Sequence, residues 1–264
     1  MLRGALHIHS TYSDGELTLA ELRVALRAAG CRFACVTDHA DWFDAPRLEA
    51  YVRECRMRSD ADFLLIPGLE YSCANRMHIL GYGVPALIDS DHPERVIAEI
   101  KRLGGLAVVA HPKNDAFETI EQLDPLPDGL EVWNTKYDGQ YAPRAGTFAL
   151  LARLKTRRPD LWAFYGLDLH WRNQNRRLFV DVVSESLDAD AVLSALRRGD
   201  YAATKDGRRL PSTGVLPAGV LARFERVNAR SRRIRSALGA LKSLVDRTGL
   251  GVPARVKAQL RRIF

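Results

Sequence analysis

The chain has 264 residues, of which 47% are hydrophobic and 27% are charged, and its net charge is +7. This length is enough for one large domain with a substantial core, and no apolar run of about 18 residues exists that would predict a transmembrane helix. The first residues lack the basic segment and apolar stretch of a secretory signal. We therefore expect a cytoplasmic location.

Residues 1–210 alternate between apolar segments typical of buried strands and amphipathic segments typical of helices. The predicted strands are 4–9, 32–39, 62–70, 77–83, 105–111, 129–134, 161–170 and 178–184. The predicted helices are 18–30, 45–58, 92–105, 145–155 and 188–199. A repeated strand–helix–strand order predicts a parallel sheet or barrel, and such folds place their chemistry at the C-terminal ends of the strands.

The C-terminal segment has a different composition. Residues 223–264 contain 12 Lys or Arg and two acidic residues, a net charge of +10, whereas residues 1–222 contain 27 basic and 30 acidic residues, a net charge of −3. After a Pro- and Gly-rich linker at 210–219, apolar residues recur with helical spacing up to position 245, which predicts one amphipathic helix with a basic face. A second short basic pattern follows Pro253. We therefore divide the chain into a barrel domain, 1–210, and a linker with a basic helical tail, 211–264.

The basic tail has three possible partners. Its apolar face could pack on the barrel or on a partner subunit, which would leave the basic face in solvent. The basic face could instead bind nucleic acid, because cationic side chains release counterions from phosphates. Binding to an anionic membrane surface is the third alternative.

Six of the seven histidines lie at the ends of predicted strands, and acidic residues accompany them. Since side chains alternate along a strand, His7 and His9 are predicted to share one face of the first strand, and Asp168 and His170 one face of the seventh. Burying such groups together without a cation would cost free energy, so they indicate a metal site. The nine candidate ligands are His7, His9, Asp14, His39, Glu70, His78, His111, Asp168 and His170.

Nitrogen and oxygen ligands without cysteine favour Mn, Zn or Fe over Ca or Mg. At about four to six ligands for each ion, including water and a shared carboxylate, nine groups would bind two or three divalent ions.

The loop "STYSDG" follows the first two histidines. It turns the chain so that Asp14 returns to the pocket, and Gly15 permits the tight turn. We expect Ser10 and Ser13 to form hydrogen bonds in this turn rather than to act as nucleophiles. Asp38 is predicted either to orient a ligand imidazole or to act as a cap.

The segments "HIHSTYSDG", "VTDH", "GLE" followed by "MH", "VAHP" and "GLDLH" occur in this order. Over residues 4–205 they resemble the ordered motifs of the PHP superfamily, named for polymerase and histidinol phosphatase. The resemblance implies a distorted seven-stranded, TIM-like (β/α)7 barrel whose trinuclear metal centre hydrolyses phosphoesters. Together with the tail, the predicted fold is this α/β barrel with a C-terminal basic amphipathic helical extension. By motif, the resemblance assigns the first ion to His7, His9, Glu70 and Asp168, the second to Glu70, His78 and His111, and the third to Asp14, His39 and His170.

The expected function is metal-dependent hydrolysis of phosphoesters, as a phosphatase or phosphodiesterase acting on nucleotides or short oligonucleotides. A metal-activated hydroxide would attack phosphorus while a third ion neutralises the phosphoryl oxygens. We assign a catalytic role to Glu70, which two ions would share, and to Asp14 and His170 as alternative proton donors to the leaving group. Basic residues just beyond the ligands could bind a substrate phosphate. From Arg76, Lys113, Lys136, Arg172, Arg176 and Arg177 we select Lys113, Arg76 and Arg176.

Two alternatives to this function remain. The "SDG" continuation of the first motif resembles PHP phosphatases and exonucleases that act on nucleotides, which weighs against histidinol phosphate as the substrate. The short interval between His78 and His111 leaves no room for the cap domain that some nucleotide-specific relatives carry there, which weighs against exonuclease activity on short oligonucleotides. A family branch that shares the "HxHSxYSDG" start and a late strand like "GDYAAT" resembles esterases, so the same site could hydrolyse carboxylic esters or carbamates. A noncatalytic PHP module that binds a partner or nucleic acid is the other alternative, although an intact set of nine ligands favours catalysis.

Overall fold

The computed structural model describes residues 1–248, so the basic pattern after Pro253 lies outside the described residues. Within them the chain forms ten strands and seven α-helices. The strands are β1 Leu2–Ala5, β2 Phe33–His39, β3 Leu64–Cys73, β4 Met77–Tyr82, β5 Leu106–Ala110, β6 Gly129–Asn134, β7 Trp162–Gly166, β8 Phe179–Val182, β9 Tyr201–Lys205 and β10 Arg208–Pro211. The helices are α1 Leu19–Ala28, α2 Ala45–Met57, α3 Pro93–Arg102, α4 Phe117–Gln122, α5 Ala145–Arg157, α6 Ala189–Arg198 and α7 Ala218–Thr248.

The strands form one sheet in the order β10-β9-β8-β1-β2-β3-β4-β5-β6-β7. Strands β1 to β3 are parallel, as are β5 to β7, but β4 is antiparallel to both of its neighbours and β8 is antiparallel to β1. The sequence pattern predicted a parallel sheet or barrel and did not indicate that β4 and β8 run antiparallel to their neighbours. Only the short 3₁₀ turn Ala74–Arg76 separates β3 from β4, and so short a connection cannot make the crossover that parallel pairing requires. The predicted distorted TIM-like barrel is confirmed.

The barrel closes beyond the regular ends of its first and seventh strands. The amide of Leu167 donates to the carbonyl of Leu6 at 3.0 Å, and the amide of His9 donates to the carbonyl of Leu169 at 3.0 Å. The predicted first strand was too long, because β1 ends at Ala5 and His7 has a left-handed backbone with φ of 59°. His7 and His9 are thus placed by barrel closure and not by regular alternation along a strand.

The helices cover the barrel with apolar stripes that the sequence pattern predicts. Helix α1 buries Leu19, Leu22 and Leu26, and it begins in a capping box between Thr18 and Glu21. Strand interiors are almost entirely buried, and the rings of Tyr82 and Phe164 stack with centroids 5.8 Å apart. The core therefore fixes the strand ends that carry the polar residues.

Helix α7 begins and ends close to the limits that the spacing predicts, and its first turns pack on the barrel. Phe224 is 1% exposed, with its ring 5.9 Å from that of Trp133, and the Asn228 amide donates to the Pro143 carbonyl at 2.7 Å. The predicted linker is also packed, since its first residues belong to β10 and Ser212 is buried. None of the helices in the described part of the chain has the length and apolar character that crossing a bilayer requires.

Candidate metal centre

All nine predicted residues converge at one end of the barrel. They belong to four groups whose ligand atoms lie within 4.8 Å of one another in each group and could hold a metal ion. The groups are His9, Asp14, His39 and His170; His7, His9 and Asp168; His7, Glu70 and His111; and His39, Glu70 and His78. Residues from six strands or strand ends, with Asp14 from the loop that follows His9, thus form one continuous cluster.

The carboxylate of Glu70, which is 1% exposed, lies at the middle of the cluster. The end of β2 pairs with β3 so that His39 is directly opposite Glu70, and β4 brings Leu80 opposite Glu70 from the other side. Five imidazole nitrogens surround its two oxygens: His78 Nδ1 at 2.8 Å and His111 Nε2 at 3.0 Å from Oε1, and His9 Nε2 at 3.2 Å, His7 Nε2 at 3.3 Å and His39 Nδ1 at 3.4 Å from Oε2.

Asp14 and His170 form the outer side of the cluster. His170 Nε2 lies 3.2 Å from Asp14 Oδ2, and His170 Nδ1 lies 3.1 Å from Asp168 Oδ1. The His39 and His9 imidazoles lie 3.6 and 3.7 Å from Asp14 Oδ1. Because the Asp14 side chain is 41% exposed, this side of the cluster is open to solvent.

The His9 ring shows that the cluster suits metal ions. Both of its ring nitrogens are buried and neither makes a hydrogen bond, although Nε2 lies within ion-pair distance of Glu70. Burial lowers the pKa of His9 to about 4, so its imidazole is neutral and keeps a free lone pair at pH 7. A buried imidazole without a partner costs free energy, and a bound cation would remove that cost.

The pKa values of the charged groups in the cluster also indicate a site for cations. Burial would raise the pKa of Glu70, but the charge of His7 and hydrogen bonds from neighbouring imidazoles outweigh burial and hold that pKa well below its usual range. The pKa of Asp168 is likewise held well below its usual range, because the charge of His7 and a hydrogen bond from His170 outweigh burial. Conversely, burial would lower the pKa of His7, but the carboxylates of Glu131, Asp168 and Glu70 raise it well above its usual value. The centre therefore keeps its carboxylates ionised and attracts positive charge.

Three residues of the cluster have left-handed backbones. The φ angles are 59° for His7, 27° for His111 and 51° for Asp168. Such a conformation in a residue other than glycine costs about 1–3 kcal/mol and persists where the surrounding structure imposes it, often at functional sites. Here barrel closure and the ends of β5 and β7 impose it.

Glu131, a buried residue of β6 that contacts the cluster, was not predicted from the sequence. Its Oε1 lies 2.9 Å from His7 Nδ1, and its Oε2 accepts from the backbone amide of His111 at 2.8 Å. Gly166 makes room for it, because a Cβ there would lie 1.7 Å from Glu131 Oε1. The bond to Nδ1 leaves His7 Nε2 facing the centre. The signal in the sequence was a single acidic residue inside the apolar segment "GLEVWN".

The loop after β6 adds polar groups to the rim. The Asn134 amide donates to Asp168 Oδ2 at 3.0 Å, and Lys136 Nζ lies 3.4 Å from Asp168 Oδ1 and 3.1 Å from His170 Nε2. The Tyr137 ring lies 4.4 Å from the ring of His111. Among the basic residues considered from sequence, Lys136 is thus in direct contact with the cluster.

The "STYSDG" loop is tied down by Asp38. Its carboxylate accepts from the amide and hydroxyl of Ser10, both at 2.7 Å, and from the hydroxyl of Ser13 at 2.6 Å. The two serines therefore hold the turn, and Asp38 fastens the loop that carries Asp14. A Cβ at Gly15 would lie 2.4 Å from the His9 carbonyl oxygen, which explains the glycine.

The three predicted substrate-binding residues lie in loops next to the elements of the centre. Lys113 is half-buried two residues after His111. Arg76 is 76% exposed and pairs with Asp115 at 3.2 Å, whereas the Arg176 guanidinium donates to the carbonyl of Thr135. Their contact with substrate stays a prediction.

The fold and the cluster define a β/α-barrel protein with a centre of histidines and carboxylates that could hold metal ions. The chain belongs to the PHP domain family, whose family model matches residues 5–144, more than half of the sequence. No curated protein sequence matches it.

Three solved structures are similar to this chain at low sequence identity. A two-domain protein from Bacteroides vulgatus that contains a predicted PHP-like metal-dependent phosphoesterase is 16% identical, with a TM-score of 0.51 over 77% of this chain and 64% of that one. A proposed metal-dependent phosphoesterase from Bifidobacterium adolescentis is 18% identical, with a TM-score of 0.49 over 74% of this chain and 96% of that one. An amidohydrolase from Chromobacterium violaceum is 18% identical, with a TM-score of 0.46 over 64% of this chain and 88% of that one.

Proposed function

We propose that the protein is a metal-dependent phosphoesterase that hydrolyses phosphomonoesters or phosphodiesters, with nucleotides or short oligonucleotides as its substrate class. The observation that carries this proposal is the convergence of nine histidine and carboxylate side chains around the buried carboxylate of Glu70, with His9 left without a hydrogen bond. The partly open side at Asp14 would admit a substrate.

Two or three divalent ions, of Mn, Zn or Fe, would share these ligands. His7, His9, Glu70 and Asp168 would hold the first, Glu70, His78 and His111 the second, and Asp14, His39 and His170 the third. Divalent ions at such a site lower the pKa of water and neutralise the oxygens of a phosphoryl group. Glu70 would hold two ions close together because imidazoles surround both of its oxygens.

The protein's own groups would orient the substrate and move protons. Asp14 and His170 are 3.2 Å apart at the open side, so either could give a proton to the leaving-group oxygen. Lys136, in contact with His170, would bind a phosphoryl oxygen by a charge-assisted hydrogen bond. Lys113, Arg76 and Arg176 would contact more distant phosphates of the substrate.

The test is an activity panel with the full-length chain loaded with Mn or Zn. The substrates are p-nitrophenyl phosphate, bis-p-nitrophenyl phosphate, nucleotides, a short oligonucleotide and p-nitrophenyl acetate. We expect hydrolysis of at least one phosphoester, lost on chelation and reduced about a thousandfold or more by His9→Ala, because a metal ligand supplies several kcal/mol of transition-state stabilisation.

The matched control is His92→Ala, since the His92 side chain is 65% exposed and lies outside the cluster. It should leave the rate unchanged. Turnover of the acetate ester alone, or full activity of the His9→Ala variant, would contradict the proposal.

A further inference from the structure

A second cavity lies beside the β9–β10 hairpin. Its volume is about 460 Å³, within the range of pockets that bind small molecules, roughly 300–1,000 Å³. None of the nine residues of the metal centre lines it. Five basic residues do: Arg3, Arg177, Lys205, Arg208 and Arg209.

The hairpin places two of these cations side by side. Strands β9 and β10 are joined by Asp206 and Gly207, whose φ angles of 50° and 74° give a tight two-residue turn. The register sets Lys205 directly opposite Arg208, so both side chains leave the same face of the hairpin. Like charges that are directly opposed destabilise a strand pair, and an anion between them would reverse that effect.

Lys205 is also buried with little compensation. Its side chain is 7% exposed, and its Nζ pairs at 2.8 Å with the carboxylate of Asp206, which is itself 58% exposed. A buried ammonium group is costly unless hydrogen bonds and opposite charge surround it.

The remaining charges of the cavity do not balance either. Arg3 is neutralised by Asp181 through hydrogen bonds of 2.8 and 3.1 Å. Within residues 1–248, the structure shows no ion pair for Arg177, Arg208 or Arg209. Five cations thus meet two carboxylates at this cavity, although residues 1–222 as a whole carry a net charge of −3.

We propose that this cavity is an anion site, separate from the metal centre, that binds a small molecule bearing two or more linked phosphates. Guanidinium groups match phosphate oxygens in bidentate geometry, and three arginines around one cavity suit a di- or triphosphate better than a single carboxylate. The site does not depend on the proposed catalytic activity, because its residues are distinct from the nine.

The experiment is isothermal titration of the full-length, metal-free protein with inorganic pyrophosphate. The wild-type chain should bind, and Arg208→Gln and Arg209→Gln should each weaken binding about tenfold, since each removes a charge-assisted hydrogen bond. The matched control is Arg53→Gln, which removes the same charge from an exposed position on α2. His9→Ala distinguishes this site from the metal centre and should bind pyrophosphate as the wild type does.

Thermal unfolding of each variant checks that it is folded. If Arg208→Gln is not folded, Arg209→Gln still tests the site, because the Arg209 side chain is exposed. The proposal is overturned by the absence of pyrophosphate binding, by equal weakening in Arg53→Gln, or by loss of binding in His9→Ala with retention in the arginine variants. Binding of an oligothymidylate without binding of pyrophosphate would also overturn it, because the ligand would then be a polymer.

Discussion

At the scale of single residues, Glu70 determines the character of the centre. Burying a carboxylate to 1% exposure in an apolar barrel would cost much free energy if it had no partners. The Glu70 carboxylate is instead surrounded by five imidazoles from different places in the chain. Those imidazoles stabilise its charge, and the buried carboxylates in turn draw positive charge to His7. This mutual dependence is the property expected of a site that exchanges protons for metal ions.

The residues of the cluster could be predicted from sequence, but their immediate supports could not. Histidines at successive strand ends are visible as a pattern, because strand ends meet in space. Glu131 contacts His7 across an interval of 124 positions, and nothing in a local pattern identifies the partner of a buried carboxylate. His7 and His9 were predicted to meet because they would share one face of the first strand. That reason was wrong, since β1 ends before both of them.

Glu131 is a positioning residue, and its role can be tested by Glu131→Gln. The substitution keeps the shape of the side chain but removes the charge and one acceptor, so His7 and the loop at His111 lose a fixed partner. We expect the affinity for Mn or Zn to fall about 10- to 100-fold, as for other groups that orient metal ligands. Titration calorimetry with the metal alone measures this.

The control for that variant is Glu49→Gln on the surface of α2, where the side chain is 78% exposed. Metal affinity should not change there. Equal affinities for Glu131→Gln and the wild type would show that Glu131 does not position the ligands.

At the scale of elements, periodicity located most helices and strands but gave no strand direction. The strand pattern at 77–83 is that of any buried strand, and only the short connection from β3 makes β4 antiparallel. Helix α4, with six residues, is too short to show a period, and β10 lies in a segment whose Pro and Gly content is typical of a linker. Helix α7 was predictable because its apolar spacing continues for many turns.

Helix α7 offers an element-scale prediction, because Phe224 anchors it to β6. Phe224→Ala should lower the free energy of unfolding by about 3–5 kcal/mol, the usual cost of removing a fully buried aromatic side chain. Urea unfolding measures the change. Ile234→Ala, on a part of the helix where the side chain is 40% exposed, is the control and should change stability by no more than about 0.5 kcal/mol.

A loss of less than about 1 kcal/mol in Phe224→Ala would mean that the helix does not pack firmly on the barrel in solution. The partner of its exposed basic face stays a prediction, with a subunit, nucleic acid and an anionic membrane as the alternatives. The division of the chain near residue 210 is likewise a prediction.

At the scale of the whole molecule, the barrel gathers its charge into separate regions. The acidic and imidazole groups meet at one end of the strands, while basic groups occupy the β9–β10 cavity and the exposed face of α7. The ordered motifs made the fold class and the family predictable, because each motif lies at a strand end that the barrel brings to one place. The β9–β10 cavity was not predictable, since its residues come from the first strand, from the start of β8 with Arg177 just before it, and from the last hairpin.

The most direct test of the account is a crystal structure of the full-length chain grown with Mn, with anomalous diffraction recorded at the metal edge. We expect two or three anomalous peaks, each within about 2.0–2.3 Å of nitrogen or oxygen atoms of the nine residues around Glu70. Peaks elsewhere on the surface with none among these nine residues would contradict it.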